Sequence, residues 1–137
     1  MIVDSNVLID ILNPDGAEAP RVIDAFNRLS VAHLPRINLI VFAETCTRFA
    51  TLALAQSMIE QLDIEITNLT PDDAFRSGLA FRKYRRNGGP RKSILPDFLI
   101  GGQADNRGWP ILTRDSKRFA SYFPEIEVID PLQVKND

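Results

Sequence analysis

Hydrophobic and polar positions follow two different periods along this chain. Short segments that are apolar throughout, or that alternate apolar with polar residues, predict strands at residues 1–3, 34–38, 64–66, 109–113 and 126–129. Longer segments, most of them with an apolar face, predict helices at residues 7–12, 20–30, 39–49 with a continuation over 51–62, 71–86, 96–105 and 116–123. Strands that alternate with helices in this way indicate an α/β domain with a mainly parallel central sheet.

Capping residues support several of these helix ends. Ser5 suits the N-cap of the first helix. Thr70, followed by a proline and two aspartates, is a typical start for the helix of residues 71–86, and Asn-Gly-Gly directly after it is a typical end. With 137 residues and neither an internal repeat nor a linker, we expect a single domain over residues 1–137.

The composition excludes several classes of protein. Cys46 is the only cysteine and His33 the only histidine, so an intramolecular disulfide, a structural zinc site and a two-histidine nuclease mechanism are not available. Sixteen Lys and Arg against eighteen Asp and Glu give a formal charge of −2, which argues against a protein that coats nucleic acid through bulk charge. Carboxylates are therefore the remaining side chains that could carry catalysis or bind a metal ion.

The sequence also lacks the signs of export or membrane insertion. Its first residues have no basic flank and reach an acid at Asp4, which does not fit a secretory signal. The longest unbroken apolar run, residues 39–43, is far shorter than the ~20 residues that span a bilayer. We therefore expect a cytoplasmic protein that does not enter a membrane.

Four acidic residues stand where a parallel α/β sheet usually places its ligand site. They are Asp4 and Asp115 directly after predicted strands, Asp97 at a helix start and Glu44 on a helix that follows a strand. Ligands of such sheets bind beyond the carboxyl ends of the strands, and clustered carboxylates repel one another unless a cation is present. Mg²⁺ or Mn²⁺ suits oxygen ligands of this kind. The alternative for each acid taken singly is a helix cap, a turn residue or a solvated side chain.

The sequence around these acids resembles a known family. Its motifs are Asp4-Ser5-Asn6 after an apolar start, a mid-chain Glu44, Leu-Pro-Asp-Phe-Leu-Ile-Gly-Gly-Gln-Ala at 95–104, Ile-Leu-Thr-Arg-Asp at 111–115, and Arg118-Phe119 followed by Tyr-Phe-Pro at 122–124. Together, and over essentially the whole chain, they resemble the PIN-domain ribonucleases, and most closely the VapC-type toxins of toxin–antitoxin pairs. The resemblance implies a three-layer α/β/α sandwich whose acidic pocket binds Mg²⁺, or Mn²⁺ as the alternative, and hydrolyses RNA.

The same resemblance assigns roles to individual residues. The catalytic acids would be Asp4, Glu44, Asp97 and Asp115. Of these, Asp4, Asp97 and Asp115 would be metal ligands, whereas Glu44 would complete the pocket or position water. Asn6 and Thr113 match polar positions that support the acids. The products would carry a 5′-phosphate and a 3′-hydroxyl, and the protein would form a homodimer bound to a cognate antitoxin.

A basic stretch precedes the third acid in the sequence. Six of the sixteen basic residues fall between residues 82 and 92, with no acid among them. Those predicted to bind RNA are Arg82, Lys83, Arg85 and Arg86, together with Arg114 beside the fourth acid. Tyr84 within the stretch is available to stack on a base. The alternatives are a solvated helix end whose cations complement the helix dipole, and an ion pair between Arg114 and an acid.

Two rival functions make different demands on the sequence. A phosphoacceptor receiver domain needs an acidic pair at the end of its first strand, where this chain has Asp4 alone. A non-catalytic PIN-like module that binds RNA or protein would be marked by the loss of one of the four acids, and all four are present. The sequence therefore favours a Mg²⁺-dependent endoribonuclease, the toxic component of a toxin–antitoxin pair, in which metal-activated water attacks the phosphodiester.

Overall fold

Five short strands form a central sheet in the structure, a computed structural model that describes residues 1–135. The strands are β1 (Ile2–Val3), β2 (Arg36–Asn38), β3 (Glu65–Thr67), β4 (Ile111–Leu112) and β5 (Val128–Ile129). They lie in the order β3-β2-β1-β4-β5, and every neighbouring pair is parallel. The predicted parallel sheet is confirmed, although most strands are shorter than the segments that predicted them.

Seven helices within the described residues cover the sheet and make the expected three-layer α/β/α sandwich. They are α1 (Ser5–Leu12), α2 (Ala19–Ala32), α3 (Leu39–Cys46), α4 (Leu52–Gln61), α5 (Pro71–Arg86), α6 (Pro96–Arg107) and α7 (Ser116–Tyr122). Strand residues such as Ile2, Val3 and Ile111 are fully buried, as expected where helices pack on both faces of a parallel sheet. Phe98 of α6 and Phe119 of α7 belong to the same core. Among residues 1–135, no helix combines the length and the apolar character needed to cross a bilayer.

Two helix starts differ from the sequence prediction. The stretch predicted as continuous helix over residues 39–62 breaks at 47–51, where the side chain of Thr51 caps α4. The N-cap of α1 is Asp4 rather than Ser5, because Asp4 has the extended backbone of a cap and its carboxylate accepts from the Ser5 amide. The acid directly after β1 is therefore also the N-cap of α1.

The order of the strands creates a switch point beside β1. The chain moves outward from β1 to β2 and β3, then returns past β1 to form β4 and β5 on its other side. The crevice at the carboxyl ends of β1 and β4 is therefore the position at which open α/β sheets bind ligands. Residues that directly follow these two strands lie at this crevice.

Two adjacent glycines allow α6 to pack closely against its neighbours. A Cβ on Gly102 would lie 1.9 Å from Ser77 Oγ on α5, and a Cβ on Gly101 would lie 2.3 Å from Cε2 of Phe123. Any larger residue at either position would push the elements apart. The helix that carries Asp97 is thereby held directly against α5 and the end of α7.

A buried ion pair joins the same two helices. Asp73 on α5 is fully buried, and its carboxylate accepts hydrogen bonds from Arg107 at 3.0 and 3.1 Å and from Asn106 at 2.9 Å. Asp73 also completes the cap of α5 with Thr70, where the sequence predicts a helix start. Burial alone would raise the pKa of Asp73, but these hydrogen bonds outweigh burial and hold the pKa well below its usual range.

Candidate active site

The carboxyl ends of β1 and β4 bring together Asp4 and Thr113. The Asp4 amide donates to the carbonyl of Leu112 at 2.9 Å, which continues the parallel pairing by one residue. Thr113 Oγ1 then donates to Asp4 Oδ2 at 2.7 Å, and both residues are buried. The other carboxylate oxygen, Asp4 Oδ1, accepts from the Ser5 amide at 2.8 Å. This acid is thus held at the switch point through both of its oxygens.

Asn6 and Thr113 connect this acid to Asp115. The Asp115 amide donates to Thr113 Oγ1 at 3.0 Å, while Asn6 Nδ2 lies 3.4 Å from Asp115 Oδ2. Asn6 Oδ1 in turn accepts from the Arg114 amide at 3.2 Å. The two residues predicted to support the acids are therefore hydrogen-bonded to them, Thr113 to the carboxylate of Asp4 and Asn6 to that of Asp115.

Glu44 and Asp97 reach the site from α3 and α6. Asn38, fully buried at the end of β2, accepts from two amides in the first turn of α3 and donates to the Leu99 carbonyl at 3.3 Å. This side chain, which the sequence prediction missed, ties α3 to α6. Glu44 and Asp97 line the same cavity, whose volume is about 380 Å³.

Burial and mutual repulsion raise the pKa values of two of these acids. Burial is the main cause for Asp4, and two hydrogen bonds only partly offset it, while the charges of Asp97 and Asp115 raise the pKa further. Burial is again the main cause for Glu44, and the charges of Asp4 and Asp97 add to it. Asp97 and Asp115 therefore lie close enough to oppose the ionisation of Asp4, as Asp4 and Asp97 oppose that of Glu44, a condition that a bound cation relieves.

Arg118 of α7 supplies a positive charge whose role the sequence prediction missed. Its Nη1 donates to Asp97 Oδ2 at 3.0 Å and lies 3.8 Å from Asp115 Oδ2. The hydrogen bond to Asp97 raises the pKa of the guanidinium. In the sequence, the position of Arg118 three residues after Asp115 on a predicted helix is the available signal. Its pairing with Asp97, 21 residues away, becomes visible only in the fold.

The donor set of the site suits a hard divalent cation. All four acids offer oxygen ligands, and Asp4 is a buried carboxylate whose charge is opposed by its neighbours. As they stand, no three acidic, histidine or cysteine side chains within residues 1–135 form a group that would hold one ion. Asp97 is instead paired with Arg118. A metal ion that binds Asp97 through Oδ2 therefore has to displace that guanidinium.

Two residues that the sequence predicts to contact RNA interact with other side chains of the protein. Arg114 Nη1 donates to Asp10 Oδ2 at 2.8 Å, so this guanidinium is paired with an acid, as the alternative for Arg114 expects, and its contact with RNA phosphate stays a prediction. The Tyr84 ring packs against Phe98 with centroids 5.4 Å apart and stacks on Phe81 at 5.8 Å. The Tyr84 ring therefore belongs to this aromatic cluster, and its stacking on an RNA base stays a prediction.

The other four predicted RNA contacts, on α5, divide by their positions on the helix. Lys83 lines a cavity that adjoins the one holding the acids. Arg85 folds onto the following loop, where its Nη1 donates to the Gly89 carbonyl at 2.9 Å. Arg82 and Arg86 are exposed and line neither of these two cavities. RNA binding stays a prediction, which the geometry favours for Lys83 and not for Arg82 or Arg86.

Comparison with known proteins identifies one family. The family model described as PIN domain matches residues 1–122. No curated protein matches the chain.

Solved structures with the same fold cover nearly the whole chain. DNA-bound VapBC from Salmonella typhimurium has 21% sequence identity and a TM-score of 0.71, over 95% of this chain and 96% of that chain. FitAcB from Neisseria gonorrhoeae has 19% identity and a TM-score of 0.72, over 97% and 99%. A toxin-antitoxin complex from Klebsiella pneumoniae has 24% identity and a TM-score of 0.68, over 97% and 98%. At these identities the likeness establishes a shared fold.

Proposed function

The chain belongs to the PIN domain family, and from that membership we propose that it is a Mg²⁺-dependent endoribonuclease and the toxic member of a toxin–antitoxin pair. The observation that carries the proposal is the buried Asp4 carboxylate, held by Thr113 and Ser5 and opposed by the charges of neighbouring acids. Burying a charge that lacks a cationic partner destabilises a fold, so such a carboxylate is explained by a cation that it binds. Mn²⁺ is the alternative ion.

The proposed metal ligands are Asp4, Asp97 and Asp115, the last acting directly or through water. When bound, Mg²⁺ lowers the pKa of a water molecule and stabilises negative charge on the phosphate. The surrounding residues orient these ligands: Thr113 holds the Asp4 carboxylate, and Asn6 holds that of Asp115.

Glu44 is proposed to orient the attacking water. It lines the same cavity as Asp97, and its raised pKa makes it a stronger base than an ordinary glutamate. A carboxylate oxygen of Glu44 would accept a hydrogen bond from the water that attacks phosphorus. The P–O3′ bond would then break and the leaving 3′-oxygen take up a proton, which gives a 5′-phosphate and a 3′-hydroxyl without any protein nucleophile. Arg118 lines the same cavity and offers a guanidinium to the substrate phosphate.

The chain is further proposed to act under the control of a protein partner. Its structural relatives include VapBC bound to DNA and a toxin-antitoxin complex. By analogy, the chain forms a homodimer that binds a cognate antitoxin. An acidic cavity gives such a partner a place to insert an arginine or a lysine, which satisfies carboxylates through charge-assisted hydrogen bonds.

Cleavage of RNA with and without a chelator tests the proposed activity. The full chain is incubated with end-labelled RNAs of mixed sequence in Mg²⁺, in EDTA, and in EDTA with Mg²⁺ restored. Asp97→Asn removes a proposed ligand at nearly constant volume, and Asp15→Asn, at an exposed position outside the site, is the matched control. We expect cleavage only with Mg²⁺, lost in Asp97→Asn and kept in Asp15→Asn. Cleavage that persists in EDTA overturns the metal-dependent mechanism.

One observation favours a second candidate, a PIN-like module that binds RNA or protein without cleaving it. Asp97 is already paired with Arg118, so one of the proposed ligands has a cationic partner within the chain. Such a module binds RNA equally in EDTA and in Mg²⁺ and cuts it in neither. The same assay separates the two candidates, because only the nuclease gives Mg²⁺-dependent products.

A further inference from the structure

A second cavity adjoins the acidic one between the end of α5 and α7. Its volume is about 280 Å³, and its walls include Lys83 and Asn87 on one side and Ser121 on the other. Tyr84 and Tyr122 line both this cavity and the one that holds Glu44 and Asp97. The two cavities therefore form one depression, the α5–α7 groove, that runs from the acids past the two tyrosines to Lys83.

The surface that joins the two cavities is preformed. The Tyr84 and Tyr122 rings meet edge to face with centroids 5.5 Å apart, and Tyr84 Oη accepts from the Arg91 amide at 3.3 Å. The loop after α5 passes directly over the Tyr84 ring, since a Cβ on Gly89 would lie only 2.3 Å from Tyr84 Cζ. Arg85 fixes the same loop through the Gly89 carbonyl. A ligand thus meets a rigid surface and pays little ordering entropy on binding.

The charges along the groove suit a chain of phosphates. Arg91 and Arg118 line the cavity with the acids, and Lys83 carries the only charge among the described residues that line the second cavity. A polyanion that presents one phosphate to a carboxylate-bound cation needs positive charge for the phosphates on either side. Asn87 and Ser121 add neutral hydrogen-bonding groups of the kind that contact sugar and phosphate.

Helical geometry separates Lys83 from its basic neighbours. Positions 80, 83, 84 and 87 share one face of α5, because residues three and four apart lie side by side on a helix, and all four line the second cavity. Arg82 and Arg86 lie outside that lining. Of the basic side chains at the end of α5, Lys83 therefore lines the groove, whereas at least Arg82 and Arg86 lie outside it.

We propose that the α5–α7 groove binds the single-stranded RNA segment next to the scissile phosphodiester, with Lys83 contacting a phosphate and Asn87 and Ser121 hydrogen-bonding the adjoining sugar-phosphate backbone. A single strand suits such a depression because its unpaired nucleotides are free to enter it, whereas those of a duplex are held in base pairs. That the bound polymer is RNA rests on the proposed function, whereas its path over the protein is inferred from the residues that line the groove.

Binding of a short, unstructured, fluorescein-labelled RNA in EDTA tests this path without cleavage. Fluorescence anisotropy over a series of salt concentrations compares Lys83→Gln with Arg86→Gln, which removes the same charge on the same helix outside the groove. Losing one phosphate contact should flatten the log–log salt slope by about 0.7, equivalent to about fourfold weaker binding at ~0.15 M salt. We expect that change in Lys83→Gln and no change in Arg86→Gln.

A second pair of variants places a negative charge inside and outside the groove. Ser121→Glu should repel the RNA backbone and weaken binding at least as much as Lys83→Gln. Ser57→Glu, at an exposed position on α4, adds the same charge elsewhere and should leave affinity unchanged. Because all four positions are exposed, thermal unfolding should show that every variant folds.

Several outcomes overturn the groove as the RNA path. Equal losses of affinity in the Lys83 and Arg86 variants would indicate that bulk charge, and not the groove, attracts the RNA. Unchanged affinity in Lys83→Gln, or no RNA binding by the unchanged chain, would also overturn it. Failure of the proposed function looks different. RNA that binds through Lys83 but stays intact when Mg²⁺ is restored leaves the groove standing and removes the nuclease.

Discussion

Thr113 links the two acids that follow the central strands, since its hydroxyl donates to Asp4 Oδ2 at 2.7 Å and accepts from the Asp115 amide at 3.0 Å. Thr113→Val removes both hydrogen bonds at nearly constant volume and leaves Asp4 Oδ2 without its donor. Residues that orient metal ligands typically contribute about 10–100-fold to metal affinity, and we expect a loss of that size for Mg²⁺. Isothermal titration calorimetry of the variant and the unchanged chain measures it.

Thr113→Ser is the matched control for this prediction, because it keeps the hydroxyl and removes only a methyl group. We expect its Mg²⁺ affinity to stay close to that of the unchanged chain. Thermal unfolding in EDTA shows whether both variants keep the fold. Equal Mg²⁺ affinity in all three proteins would mean that Thr113 does not hold the ligands.

Arg118 donates to Asp97 at 3.0 Å, and under the proposed function it competes with the metal ion for this carboxylate. Its side chain is 52% exposed and that of Asp97 is 19% exposed, and a solvent-accessible pair of this kind contributes only about 0.2–1 kcal/mol to stability. We expect Arg118→Gln to lower the Tm slightly in EDTA and to enlarge the rise in Tm that Mg²⁺ produces, because the cation no longer displaces a guanidinium.

Arg114→Gln is the control for Arg118→Gln, since it breaks the ion pair with Asp10 and leaves Asp97 untouched. It should lower the Tm by a similar amount in EDTA and respond to Mg²⁺ as the unchanged chain does. Differential scanning fluorimetry over a Mg²⁺ series compares the two. The same Mg²⁺ response in both variants argues against competition at Asp97.

Residues of the candidate site differ in how far the sequence can predict their surroundings. Asp4 and Asp115 are predictable neighbours, because the ends of parallel strands meet at one edge of a sheet and this rule needs only the order of the elements. The partner of Arg118 depends on which helix α7 packs beside. Likewise, the pairing of Arg114 with Asp10 joins residues 104 positions apart, so no local pattern reveals it.

At the scale of elements, α5 and α6 pack so closely that adding one methyl group between them should destabilise the fold. Gly102→Ala places Cβ 1.9 Å from Ser77 Oγ and 2.8 Å from Ser77 Cα, so the helices must move apart. Overpacking of this kind costs about 1–3 kcal/mol. A Cβ on Gly78 of α5 would meet nothing within 4 Å, so Gly78→Ala should stabilise the protein by up to about 1 kcal/mol. Urea unfolding should give opposite signs for the two variants, and matching signs contradict this packing.

Asp73 links α5 to α6 through a carboxylate whose pKa lies well below its ordinary 3.8, because the hydrogen bonds from Arg107 and Asn106 outweigh the effect of burial. A pKa depressed in the folded state means that the ionised carboxylate stabilises the fold above the unfolded pKa. This contribution is lost as the pH falls below that value. Asp73→Asn should therefore cost about 2–3 kcal/mol at neutral pH, and the deficit should shrink as the pH falls below about 3.8.

Asp105→Asn is the matched control for Asp73→Asn, because Asp105 pairs with the half-exposed Arg76 across the same two helices at 3.6 Å. A pair of that kind contributes about 0–1 kcal/mol. Chemical denaturation at neutral and acidic pH compares the two variants. A deficit for Asp73→Asn that does not change with pH shows that its ionisation is not coupled to folding.

The boundaries of the helices were predictable where a local cap marks them. Thr70 and the Asn-Gly-Gly after residue 86 define α5, whose observed range is Pro71–Arg86. The break between α3 and α4 at residues 47–51 was not predictable from periodicity, because apolar residues continue on both sides of it. Strand lengths were overestimated for a similar reason, since apolar residues beside a strand are buried without joining its hydrogen bonds.

At the scale of the whole molecule, several apolar side chains between the end of α2 and the start of α3 are exposed. Val31 at the end of α2 is 89% exposed, and Leu34 and Leu39 are each 48% exposed. We expect the proposed antitoxin to bury apolar residues of these early helices while it places a basic side chain near the four acids. Val31→Asp should then weaken antitoxin binding equally at every Mg²⁺ concentration, because Val31 is not one of the proposed metal ligands.

The basic side chain of the antitoxin and the metal ion should exclude each other. A guanidinium or ammonium satisfies the same carboxylates that Mg²⁺ needs, as Arg118 already does for Asp97. By linkage, raising Mg²⁺ should weaken inhibition, and once Mg²⁺ exceeds its Kd a tenfold increase should raise the inhibition constant about tenfold. Titrating antitoxin against RNA cleavage at several Mg²⁺ concentrations and constant ionic strength measures this dependence. Inhibition that is indifferent to Mg²⁺ would leave a protein inhibitor in place but rule out blocking at the metal ligands.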